Sequence, residues 1–355
     1  MRRRRRFGLG VVFLMVVLTL AACNKGRAEV KEVDKLLEDA ETKIDYSSIE
    51  TLHLGPGTKI SVVLKESKNN YWNEVAAGIQ KAVDDFNEML EYKGSDKIQV
   101  VFDSPSIGKD VEQQIYIIDT VLAENPDILC LAVIDMDSCT AQVEAAKENG
   151  IPIIFIDSAV ESEDIEVVCA TDNYKAGREA AMKLAEGIQN RGEVAILAHI
   201  SITETSKSRL NGFQDEIEEN YPDIEIVKIS YDESRELDVD LVGIASEVMK
   251  EYPSLKGYFS TNETMTAAML EASKNNEGEI VLVGFDSGEA LQEAVRDGSL
   301  YGFIAQNPYA MGYVSVVAGA RAFLNRENDS VINTGHIWVN QQNIDEEEIQ
   351  KYLYK

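Results

Sequence analysis

The sequence predicts an α/β protein whose parallel sheets form two lobes facing each other across a cleft. From Lys59 onward, short apolar runs alternate regularly with stretches of helical periodicity, the pattern of βαβ units. Those runs are unbroken rather than alternately polar and apolar, as strands covered on both faces require. The run IVLVGFDS at 280–287 is echoed by IIFIDS at 153–158, and each closes on Asp-Ser. Asp286 and Asp157 thus stand at the carboxyl edges of two sheets, where open α/β sheets bind ligands.

The chain opens on a segment outside that fold. Arginines at 2–6 precede an apolar stretch at 7–20, and Leu20-Ala21-Ala22-Cys23 follows. This layout is that of a secretory signal, and it resembles a bacterial lipoprotein signal cleaved before a lipidated Cys23. The apolar run is shorter than the ~20 residues of a spanning helix, which disfavours a plain transmembrane anchor. Residues 1–22 are therefore expected to be removed, leaving 23–57 as a lipid-anchored spacer. Within it, 28–49 leans towards a short helix, with Val33, Leu36, Leu37 and Ala40 at helical spacing. Gly55-Pro56-Gly57 then breaks the chain before the first strand.

Removing 1–22 takes away five arginines and no acid, so the net charge of −28 becomes −33. So acidic a surface repels phosphate backbones and argues against nucleic-acid binding. It suits a soluble body tethered near a membrane. Of the 355 residues, 333 remain, more than one core usually organises, which again gives two lobes. Besides Cys23 the chain has Cys130, Cys139 and Cys169. An odd number without CxxC spacing implies neither a zinc site nor a disulfide framework, so these read as buried thiols.

Strands are expected at 60–64, 98–102, 128–133, 153–156, 167–170, 194–198, 224–229, 257–260, 281–283 and 300–305. The first helix, 73–90, carries Val75, Ile79, Ala82, Val83, Phe86 and Leu90 on one stripe. Helices follow at 110–124 and at 138–149, the latter stopped by Gly150 and Pro152. The remainder are expected at 174–190, 206–220, 237–251, 264–275, 288–297 and 308–325. With no long linker between the halves, the crossings between lobes must be short.

Candidate binding residues cluster at the strand ends. Tyr71 and Trp72 either stack on the C–H face of a sugar ring, with Asn69 nearby for hydroxyls, or staple a helix start. Asp157 either begins a turn or accepts two hydroxyl hydrogen bonds. Asp137 or Ser138 is expected to cap the following helix, leaving Asp135 a minor candidate. Arg209 lies in the first turns of a helix, where a cation opposes the dipole, so an anionic cleft group is expected beside it. Tyr231 could supply an opposing aromatic face, Asn262 is either a helix cap or a bidentate amide, and Gln306 closes its strand.

The run Asn69…Tyr71-Trp72, Ile156-Asp157, Ala170-Thr171-Asp172-Asn173-Tyr174…Gly177, Arg209…Gly212-Phe213, Asn262-Glu263, Val283-Gly284-Phe285-Asp286 and Ile304-Ala305-Gln306 resembles the ribose/galactose-type periplasmic sugar-binding proteins. These are type I solute-binding proteins of ABC importers, and the resemblance spans about residues 58–345. It implies two Rossmann-like, doubly wound lobes joined by three crossings near Thr171, Gln306 and His336. The N-terminal lobe would be 58–171 plus 307–335, the C-terminal lobe 172–306 plus 336–345, and 346–355 a tail. It also implies sugar contacts at Asn69, Tyr71, Trp72, Asp157, Arg209, Tyr231, Asn262, Asp286 and Gln306. The implied ligand is a monosaccharide or similar polyol and the implied partner an ABC permease. No catalytic residue, cofactor or metal is expected, and the protein would be a lipid-anchored, extracytoplasmic monomer.

This chain departs from the pattern at Ser158, where ribose-type members often carry Arg, and at Asn70, where many have Pro. Loss of a charged donor leaves room for a sugar other than ribose. Residues 232–238 offer oxygen ligands at alternate positions but lack the turn glycine and closing Glu of a calcium loop.

Two other functions compete. A glycosidase could use Asp157 and Asp286 as its carboxylate pair, but one of them would need a raised pKa. Arg209 and the nearby amides are expected to keep both ionised. GxSxG, GxxxxGK[ST], HExxH and GxGxxG are absent, and His53, His199 and His336 are far apart in sequence. A ligand-sensing partner of a membrane kinase would share the importer subunit's cleft.

Overall fold

The computed structural model describes residues 42–160, 167–199, 202–232, 239–276 and 278–354. The signal segment, Cys23, most of the expected 28–49 helix and the acidic stretch 233–238 lie outside the described residues. The strands form two six-stranded sheets. The first contains β1 (Lys59–Val63), β2 (Gln99–Asp103), β3 (Ile128–Leu131), β4 (Ile153–Ile156), β5 (Val167–Ala170) and a late strand, β11 (Val331–Asn333). All are parallel, in the order β11-β5-β4-β3-β1-β2. The second contains β6 (Gly192–Ala198), β7 (Ile224–Tyr231), β8 (Leu255–Ser260), β9 (Val281–Phe285), β10 (Gly302–Gln306) and β12 (His336–Asn340). Its order, β12-β10-β9-β8-β6-β7, repeats the first, with β12 antiparallel to β10. In each sheet the winding reverses beside the first strand, which opens a crevice at the carboxyl edge.

The helices are α1 (Asn70–Met89), α2 (Val111–Ala123), α3 (Thr140–Glu148), α4 (Asn173–Gly187), α5 (Glu204–Asn220), α6 (Leu241–Glu251), α7 (Glu263–Ser273), α8 (Glu289–Asp297), α9 (Pro308–Phe323) and α10 (Glu347–Gln350). Strand parity divides the first sheet's side chains between two cores. Ile60, Val62, Ile128, Cys130 and Ile154 pack on α1 and α9, while Val63, Leu129, Leu131, Ile153 and Phe155 pack on α2 and α3. The second sheet divides likewise, with Ile196, Phe259 and Phe285 towards α4 and α5, and Leu197, Tyr258 and Leu282 towards α6, α7 and α8. Burial on both faces is why the sequence runs are continuously apolar. Cys130, Cys139 and Cys169 are free and buried.

Paired glycines let helices cross closely in both lobes. A Cβ on Gly78 would fall on the Tyr309 carbonyl oxygen, and one on Gly312 on that of Val75. In the second lobe Gly177 faces the Arg209 carbonyl and Gly212 that of Tyr174. The α4–α5 crossing therefore fixes the backbone that carries Arg209.

Three local features differ from the sequence reading. The chain enters the body before Gly55, because Tyr46, Leu52 and Leu54 are buried in the α1–α9 core. The helix expected from 138 begins at Thr140, with Cys139 at the cap position making no side-chain cap bond. The Asp137 N–H instead donates to Asp135 Oδ1 at 2.9 Å, closing a turn ahead of the helix. β11 and β12 were unmarked in the sequence.

Candidate functional site

The crevices of the two sheets face one cavity of about 360 Å³, within the usual size range of small-molecule sites. Asp157, directly after β4, and Asp286, directly after β9, occupy equivalent places in the two lobes. Both adopt left-handed backbone, with φ of 64° and 73°. An aspartate tolerates that region better than most residues, but such a conformation persists only where its surroundings enforce it. Here it turns each carboxylate into the cleft.

Lys65 Nζ donates to Asp157 Oδ2 at 2.8 Å, and the Tyr71 hydroxyl donates to Asp157 Oδ1 at 3.0 Å. Burial pushes the Asp157 carboxyl upward, but Lys65, Arg209 and the two hydrogen bonds outweigh it and hold the group below the usual range. Gln306 Nε2 donates to Asp286 Oδ1 at 2.6 Å, and the Glu263 N–H donates to Oδ2 at 3.0 Å. At Asp286 burial prevails over Arg209 and these bonds, so its carboxyl is pushed up. The expected pull of Arg209 is felt by both carboxylates, but burial outweighs it only at Asp286. Asp157 has a lysine in contact, whereas Asp286 has neutral donors.

Arg209 is buried, and its hydrogen bonds run to Asn173 Oδ1 and the Thr261 carbonyl, each at 2.8 Å. Its guanidinium lies 3.8 Å from the centroid of the Phe285 ring. The side chain is thereby fixed as a positive charge that acts on both carboxylates without pairing directly with either. Tyr71 and Trp72 meet edge to face at 5.0 Å, and Lys65 stands 5.6 Å over the Trp72 ring. Asn69 and Asn262 both cap helices, accepting from the Tyr71 and Met265 N–H groups; the Asn69 side chain also hydrogen-bonds the Glu66 carboxyl, whereas the Asn262 NH₂ is a donor at the cavity wall.

Eight of the nine expected residues line the cavity; Tyr231 does not. Successive residues at the end of β7 point to opposite sides, so Tyr231 packs on the α4–α5 core and Asp232 takes the cavity position. Sequence reasoning missed Lys65, Lys109, His199, Asp232 and Glu263 as lining residues. Lys109, after β2, pairs with Asp232 across the lobes. Burial pushes the His199 imidazole down to about 4, against the pull of Asp232. Lys65 had one available signal, its place two residues past the first strand. Among the described residues no group of three or more His, Cys, Asp or Glu is placed to hold a metal ion.

The profile of the family described as "Periplasmic binding protein domain" matches residues 60–327. The chain is 23% identical over 209 residues to the ribose import binding protein of Bacillus subtilis, covering 59% of this chain and 67% of that protein. It is 22% identical to the D-allose-binding periplasmic protein of Escherichia coli, over 71% and 80% of the two chains. Among solved structures, an ABC transporter solute-binding protein of Agrobacterium vitis with bound D-fucose is 27% identical, with a TM-score of 0.74. That match covers 83% of this chain and all of the other. A carbohydrate transporter solute-binding protein of Agrobacterium radiobacter in complex with D-arabinose gives 25% and 0.75, covering 83% and 98%.

Proposed function

Because the chain belongs to the periplasmic binding protein family, we propose that it captures a monosaccharide or similar polyol between its lobes and presents it to the permease of an ABC importer. The observation that carries this reading is the pair of strand-end aspartates, one from each lobe, lining one cavity together with Arg209, whose charge acts on both. A polyol offers hydroxyls that donate to both carboxylates and oxygens that accept from Arg209 and the Asn262 amide. Neither lobe alone holds both carboxylates. Ligand therefore favours the closed arrangement, with movement about crossings near Thr171, Gln306 and His336. The sugars named for the relatives support the ligand class, and Lys65 supplies a cation beside Asp157 where Ser158 cannot.

The divergent tendencies of Asp157 and Asp286 also suit an acid–base pair, so the test must distinguish binding from turnover. A panel of D-ribose, D-allose, D-arabinose, D-fucose and xylitol is screened by thermal shift. The cognate compound should stabilise the protein by about 2.7 kcal/mol at a hundredfold excess over Kd. It should also shrink the radius of gyration in solution scattering and be recovered unchanged. Release of an altered product would overturn the binding function, and stabilisation without compaction would overturn closure.

The anchoring proposal rests on Leu20-Ala21-Ala22-Cys23 and places the body outside the cytoplasm on a lipid. Cys23→Ala should leave the precursor uncleaved or release the protein from membranes. Unchanged mass and fractionation would sink this assignment.

A further inference from the structure

Residues 352–354 lie between the lobes. After α10, Tyr352 and Tyr354 are both buried. Ser287 Oγ donates to the Tyr352 carbonyl at 2.9 Å, and Gln292 Nε2 donates to the carbonyls of Ser287 and Tyr354 at 2.6 and 2.7 Å. The Tyr354 hydroxyl accepts from the Ser287 N–H at 3.4 Å and donates to Glu263 Oε2 at 2.8 Å. These partners flank Asp286: Ser287 follows it in sequence, and the Glu263 N–H holds its Oδ2. All belong to the second lobe. The Tyr354 ring, however, packs in the first lobe's α1–α9 core and meets Tyr71 edge-on at 6.2 Å. Tyr71 in turn holds Asp157.

We infer that Tyr354 is a positioning residue of the cleft, holding the two strand-end aspartates in register across it. Its hydroxyl braces the left-handed turn at Asp286 through Ser287 and Glu263, and its ring backs the tyrosine that orients Asp157. A non-glycine residue at positive φ needs surroundings that over-determine it, and the tail supplies several such bonds close to Asp286. A buried tyrosine hydroxyl must also find partners, and here both serve the same turn. The bond to Glu263 opposes the upward push that burial and Asp286 exert on that carboxyl, so it favours a charge beside Asp286. Setting both halves of a site in advance lowers the ordering cost of binding without adding a ligand contact.

The test is hydrogen exchange on the ligand-free full-length chain. Tyr354→Phe keeps the ring and removes both hydroxyl bonds, so exchange should accelerate about tenfold across 283–288 while 69–75 stays protected. Tyr354→Leu also removes the edge contact and should accelerate both segments, although 69–75 lies in the other lobe. Acceleration confined to the second lobe in Tyr354→Leu, or no change in either variant, would overturn the brace. A second arm rests on the sugar-binding function above. Tyr354→Leu should weaken the panel compound that most stabilises the wild type by about tenfold or more, mainly through faster release. Equal affinities would remove Tyr354 from the site. The exchange arm needs no ligand, so its failure overturns the brace, whereas failure of every panel compound to bind the wild type overturns the ligand class.

Discussion

Asp286→Gly is expected to weaken sugar binding by about 2–4 kcal/mol while leaving the fold intact. Glycine is the informative replacement because φ at this position is 73°, a conformation that alanine would strain on its own account. The substitution removes the acceptor for Gln306 Nε2 and the Glu263 N–H, together with one of the two carboxylates facing Arg209. Asp286→Asn keeps the left-handed turn and most of the shape but turns an NH₂ towards one of two existing donors, so it should lose a comparable amount. The pH dependence follows from the upward push of burial on this group. A hydroxyl donates to the ionised form, so affinity should be full above the raised pKa. It should decline as pH falls through the raised pKa, beginning above the ordinary carboxylate range. Calorimetry on wild type and both variants across this range checks the claim. Normal affinity in Asp286→Gly would show that the ligand sits elsewhere.

Much of this architecture is written in local sequence, because a parallel strand buried on both faces has few alternatives to a run such as IVLV or IIFI. The same runs place Asp157 and Asp286, since a carboxylate directly after such a strand must emerge at the sheet's carboxyl edge. Side-chain direction one residue further on is less legible. Whether Tyr231 or Asp232 enters the cavity depends on where β7 ends, and strand ends are uncertain by about two residues or more from sequence. β11 and β12 are short and carry polar residues, VIN and HIWVN, so they lack the run that marks the central strands. Lys65 looks like one charge among several in KESKNN. Its place after the first strand is shared with Glu66, and pairing with a residue 92 positions away is what sets it apart. Tyr354 is legible least of all, because its partners come from α7, the turn after β9 and the other lobe.

Lys65→Met is expected to cost about 3–5 kcal/mol of folding stability at neutral pH, because it leaves a buried carboxylate without its contacting cation. Lys65 is 9% exposed and Asp157 5%, so solvent screens the pair little. The wild-type sign is set by the lowered pKa of Asp157. Its contribution is fully present above the usual carboxylate range and is lost as pH falls through the depressed value. Without Lys65 the balance at Asp157 shifts towards burial, which raises the pKa. Stability of the variant should then fall as pH rises through that raised value, opposite in slope to the wild type. Urea unfolding at a series of pH values separates the two signs, and a variant as stable as wild type throughout would discard the pair as a structural element. The double variant Lys65→Met/Asp157→Asn removes the charge while keeping a residue that tolerates φ of 64°, so it should recover much of the loss. It should still bind sugar poorly, because a carboxylate acceptor has gone from the first lobe. Recovery of stability without recovery of binding would divide the contribution of Asp157 to the fold from its contribution to the site.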